Sequence, residues 1–181
     1  MLQHEGDPNR SAVLLPGVRY LSQAPLLWFA REAAQARGWS VVEVNERAPE
    51  GEDPFEWMLG QAERALGATS AELTVVVGKS LGTVAATMVA GPAVWLTPLL
   101  TRPDIAAALA AADSPALLVG SPHDPAWGEG EVPDNPLLEV LELPGLDHSL
   151  QVSRDPTSSL DALRTVTQRV ASFYERVEGN P

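Results

Sequence analysis

Short runs of consecutive apolar residues alternate along the chain with longer stretches whose apolar positions recur every three to four residues. The first pattern suits strands buried on both faces, and the second suits helices with one buried stripe. Ser11–Leu15 reads as a strand stopped by Pro16-Gly17, and Ala24–Arg37 as a helix with apolar residues at Leu26, Leu27, Phe29, Ala30, Ala33 and Ala34, ended by Gly38. Ser40–Val44 is a second strand. Pro54–Leu66 is a helix with proline in its first turn and Gly67 just past its end. Glu72–Val77 is a β-branched strand that runs into Gly78-Lys79-Ser80, and Leu81–Ala90 continues as a helix broken by Gly91-Pro92. Ala93–Thr97 (strand), Pro103–Ala112 (helix), Ala116–Val119 (strand), Leu137–Leu143 (strand) and Ser159–Arg176 (helix) complete the series. About six strands separated by helices predict an α/β chain: a mainly parallel sheet in a three-layer α/β/α sandwich, one domain over residues 1–181. The polar residues 1–10 read as a loose N-terminal segment, and Ser121–Asn135 as the longest irregular loop.

Composition narrows what such a domain can do. The net charge of −12 opposes binding to phosphate backbones and to anionic lipid surfaces, so neither nucleic acid nor membrane is an expected partner. Absence of cysteine removes disulfides, thiolate metal sites and a cysteine nucleophile together. The first ten residues lack the pattern of a signal peptide, no apolar run reaches the length of a membrane span, and a cytoplasmic protein is expected. Only His4, His123 and His148 could serve a mechanism that needs an imidazole, and Lys79 is the only lysine.

Gly78-Lys79-Ser80-Leu81-Gly82 matches G-x-S-x-G between a predicted strand and a predicted helix. A strand that turns this sharply into a helix leaves no room for side chains two residues before and after the central serine. It also presents that serine's oxygen above the sheet edge, at a helix N-terminus that favours negative charge. Two plainer readings compete. Ser80 could simply cap a helix after a glycine-rich turn, or GKS could belong to a phosphate-binding loop; the latter needs glycine at position 73, where Leu73 stands.

A serine nucleophile needs a base, and the base an orienting acid. In open α/β sheets such groups gather beyond the carboxyl ends of the strands. Two segments qualify: Gly120-Ser121-Pro122-His123-Asp124-Pro125 and Pro144-Gly145-Leu146-Asp147-His148-Ser149. Ser80, Asp124 and His148 in that order make the favoured set. His123 and Asp147 are set aside as sequence neighbours of the chosen groups, and Asp104 is kept as a second candidate acid.

GKSLG, GSPHDP and PGLDHSL resemble the nucleophile, acid and histidine segments of the α/β-hydrolase superfamily, and the resemblance spans most of the chain. It implies Ser80 as nucleophile, His148 as base and Asp124 as its partner, with no cofactor and no metal. It also implies an oxyanion hole built from the backbone N–H groups of Leu81 and of Val18. Relatives often carry His-Gly where this chain has Pro16-Gly17. Only Pro98–Arg102 separates a strand from the next helix at the usual place of a cap domain, so an open site is expected, similar to that of dienelactone-hydrolase-like enzymes. Gly17, Tyr20, Trp95, Leu99 and Trp127 are the expected pocket residues. A small ester or thioester is the expected substrate, with a C–C or peptide-bond hydrolase, or a catalytically silent ligand- or partner-binding domain, as alternatives.

Overall fold

The structure, a computed structural model, describes residues 1–128 and 132–179. Seven strands form one sheet: β1 (Leu2–His4), β2 (Asp7–Leu15), β3 (Trp39–Glu43), β4 (Leu73–Lys79), β5 (Ala93–Leu96), β6 (Ala116–Gly120) and β7 (Leu138–Glu142). Their spatial order is β1-β3-β2-β4-β5-β6-β7, and every pairing is parallel except that of β1 with β3. Helices α1 (Pro25–Gln35) and α4 (Pro156–Glu178) cover one face. The other carries α2 (Pro54–Gly67), a 3₁₀ segment at Ser80–Thr87, and α3 (Pro103–Ala110).

The continuous apolar runs have a direct explanation in this layering. Along β2, Ala12 and Leu14 enter the core under α1 and α4, whereas Val13 and Leu15 enter the opposite core. Val75 and Val77 of β4 likewise face one side and Val76 the other. A strand in the middle layer has no solvent face, so it shows no polar alternation.

Two expectations are corrected. Residues 1–10 are not loose: β1 pairs antiparallel with β3, and β2 begins at Asp7, whose N–H donates to the Gly38 carbonyl at 2.7 Å. The polar sequence here is that of an edge strand with one wet face. Gly6 lies so close to β3 that a Cβ would stand 2.3 Å from the Trp39 carbonyl carbon.

The segment after Ser80 is a 3₁₀ helix that stops at Thr87, not an α-helix to Ala90. The Thr83 hydroxyl donates to the Ser80 carbonyl at 2.6 Å and the Thr87 hydroxyl to the Val84 carbonyl at 2.8 Å. These bonds to carbonyls three residues back, made by β-branched side chains, compete with α-helical bonding and suit the tighter winding. Within the expected 121–135 loop, residues 129–131 lie outside the described residues.

Candidate active site

Ser80 follows the last residue of β4 with a φ of 52°, a left-handed conformation that is costly for a side chain other than glycine. The neighbouring glycines show why the turn takes this course. A Cβ on Gly82 would sit 2.3 Å from the Leu15 carbonyl oxygen. One on Gly78 would sit 2.7 Å from both the Gly82 carbonyl oxygen and the Trp95 ring. The nucleophile elbow is therefore held by backbone contact with β2. Thr83, which the motif did not single out, braces it further: besides its bond to Ser80, its oxygen accepts the Leu99 N–H at 3.3 Å. A hydroxyl three residues after the serine was the available signal.

Two loops bring the other groups to this rim. His148, on the loop after β7, places Nε2 2.7 Å from Ser80 Oγ and Nδ1 2.6 Å from Asp124 Oδ2. With Nδ1–H donating to the carboxylate, Nε2 is free to accept the serine proton. Asp124 is buried, and its other oxygen accepts the Ala126 N–H at 2.9 Å, which fixes the carboxylate's direction.

The other histidines and candidate acids, among them the second candidate Asp104, make bonds away from Ser80. Asp147 Oδ1 accepts the backbone N–H groups of Ser149 at 2.7 Å and Gln151 at 3.0 Å, folding the His148 loop around itself. His123 Nδ1 accepts the Gly145 N–H at 3.0 Å and so ties the acid-bearing loop to the histidine-bearing loop. Asp104 pairs with Arg102 at the exposed start of α3. His4 bonds Glu43 at the β1 edge.

Of the expected pocket residues, two are corrected. Trp95 and Trp127 are each 2% exposed and pack inside the core, beneath Gly78 and Gly120 respectively. Trp95 sits near a strand end and Trp127 on a loop, yet both rings point inward, where they fill the space that the two glycines leave. Leu99 is half-buried against the same cluster. Gly17 and Tyr20 do border the site. A Cβ on Gly17 would lie 3.3 Å from the Cβ atoms of both Ser80 and Tyr20, and Gly17 and Tyr20 exchange backbone hydrogen bonds across a tight turn at Val18-Arg19. Val18 is exposed.

Sequence reasoning also passed over Lys79. Its side chain is 2% exposed, and Nζ sits 4.9 Å from the centre of the Tyr20 ring. Burial pushes the ammonium down to about 8, partly opposed by the charges of Asp124 and Asp147. The Tyr20 hydroxyl accepts the Leu26 N–H at 2.9 Å, and burial pushes it up to about 12. The signal for Lys79 was its being the chain's only lysine, directly before the serine.

Sheet order, helices on both faces and the elbow together make this the α/β-hydrolase fold, with no cap domain between β5 and α3 among the described residues. No family model matches the sequence, and a search of curated proteins finds no match. Solved structures do match. Mouse alpha/beta hydrolase domain-containing protein 10 superposes with a TM-score of 0.71 at 10% identity, over 97% of this chain and 93% of that one. Est1E from Butyrivibrio proteoclasticus, solved with ferulic acid bound, gives 0.69 at 12% identity over 97% and 93%. An α/β serine hydrolase without lid from Xanthomonas campestris gives 0.54 at 16% identity over 92% and 83%. Likeness at such identities carries the fold alone. No helix among the described residues is long and apolar enough to cross a membrane.

Proposed function

We propose that the chain is a serine hydrolase that cleaves a small carboxylic ester or thioester through an acyl-enzyme on Ser80. The observation that carries this reading is the unbroken relay from Asp124 through His148 to Ser80, at 2.6 and 2.7 Å. In it, Ser80 Oγ attacks the carbonyl carbon while Nε2 of His148 takes the hydroxyl proton. Asp124 keeps the ring in the useful tautomer and stabilises the imidazolium. The oxygen that becomes negative is met by the N–H groups of Leu81 and Val18; each such donor contributes about 3 kcal/mol in comparable enzymes. Collapse of the tetrahedral species expels the alcohol or thiol, which leaves with the proton from His148. Water, activated by the same imidazole, then releases the acid and restores Ser80.

The strained φ at Ser80 supports the reading, because a merely capping serine needs no such backbone. So does the description of the Xanthomonas structure as a lidless serine hydrolase. A cytoplasmic location completes the proposal, in keeping with the absence of cysteine.

A fluorophosphonate probe tests it. Wild type takes up the label and Ser80→Ala does not. On p-nitrophenyl acetate, His148→Ala lowers kcat by on the order of 10⁴-fold or more. A folded wild type that neither labels nor turns over ester would sink the reading.

A further inference from the structure

The two flanks of Ser80 differ in the space they offer a substrate. On the β5 side, Trp95 lies directly beneath Gly78, and Trp127 is buried beyond it. On the other side, between the start of α1 and the start of α4, is a cavity of about 440 Å³. That is within the size range of small-ligand pockets, about 300–1,000 Å³. Tyr20 and Leu26 line one wall, and Leu150, Leu160 and Leu163 the other. Ser80 and His148 do not themselves line it, but two of its walls adjoin them. Tyr20 packs on Gly17, which is itself packed on Ser80, and Ser149 and Leu150 directly follow His148.

The wall is built rather than incidental. Leu150 is buried at a φ of 55°, and Arg154 has a φ of 62°, so two residues with side chains hold left-handed backbone around one cavity. The Asp147 carboxylate and the Ser159 hydroxyl, which accepts the Val152 N–H at 2.9 Å, keep the wall in that shape.

Which part of an ester would enter follows from the proton's route. The departing atom must face His148 Nε2 to receive its proton, whereas the carbonyl oxygen faces away, towards the Leu81 N–H. We infer that this cavity takes the leaving group, an apolar alcohol or thiol of medium length, and not the acyl group. The inference rests on the serine-hydrolase reading and adds a substrate class to it.

Two ester series separate the alternatives: acetates of methanol through octanol, and methyl esters of acetate through octanoate. In wild type, kcat/KM climbs roughly fourfold per methylene along the alcohol series until the cavity is full, as expected for methylenes leaving water. It stays within about threefold along the acyl series. Leu163→Trp fills the cavity and lowers the octyl-to-methyl ratio at least tenfold, while the octanoate-to-acetate ratio moves less than twofold. Leu160, 62% exposed at the rim, offers Leu160→Trp as a second variant that does not disturb the core. A change confined to the acyl series, or unchanged ratios in both variants with melting curves like that of wild type, overturns the inference. Fluorophosphonate labelling in parallel separates the two failures: loss of labelling in wild type defeats the hydrolase reading, and retained labelling with unmoved ratios defeats the subsite alone.

Discussion

The elbow at residues 78–82 and the loop at residues 144–155 carry Ser80 and His148, and they are held by different forces. At the elbow, backbone presses on backbone: Gly82 against the Leu15 carbonyl, Gly78 against Gly82. In the histidine loop, side-chain acceptors gather backbone N–H groups: Asp147 Oδ1, His123 Nδ1 and Ser159 Oγ. Steric closure admits almost no change, because packed atoms cannot yield by a full ångström. A hydrogen-bonded loop yields one bond at a time, each worth about 1 kcal/mol net. Ser80 is thus fixed, and His148 sits on a part that can be tuned.

Gly82→Ala is the harshest test of that contrast. Its methyl group would meet the Leu15 carbonyl oxygen, so we expect a loss on the order of 3 kcal/mol or more in urea unfolding, with esterase activity abolished. Wild-type stability in this variant would break the comparison. Next comes Lys79→Met. A lysine held at about 8, against its ordinary value of 10.5, binds its proton less tightly in the folded than in the unfolded chain. Below pH 8 the folded state therefore carries the whole cost of a buried charge, and that cost is relieved as pH climbs towards 10.5. Lys79→Met should be more stable than wild type at pH 7, by up to about 3 kcal/mol, and the gap should close between pH 8 and 10.5 in melting curves. The smallest effect is expected in the loop. Asp147→Ala should cost about 1 kcal/mol of stability and lower kcat/KM roughly tenfold, whereas Asp147→Asn, which keeps the accepting oxygen, should stay within about threefold of wild type.

What could be read from the chain alone divides along similar lines. Strands β2 to β6 were legible because burial on both faces leaves unbroken apolar runs such as Val75-Val76-Val77, whereas the half-exposed edge strand β7 showed itself by Leu138 and Val140 interleaved with Glu139 and Glu142. β1 was not legible, since an edge strand of Leu2, Gln3 and His4 looks like any polar terminus until its partner is known. Ser80, Asp124 and His148 were found as candidates because each follows a strand, and the sheet delivers strand ends to one rim. The cavity was invisible for the opposite reason. Leu160 and Leu163 belong to the apolar stripe of α4, and periodicity cannot distinguish a stripe that fills a core from one that leaves a gap. Trp95 and Trp127 misled because position near a strand end or on a loop does not say which way a ring points.

Lys79 has a practical consequence as well. Since it is the chain's only lysine, any acylation of an ε-amine must occur there, and its enclosure hides it from reagents in the closed state. The rate at which an amine-directed label enters Lys79, counted apart from the N-terminal amine, therefore reports how often the enclosure beside Ser80 opens. The molecule carries its own gauge of breathing, one residue from Ser80.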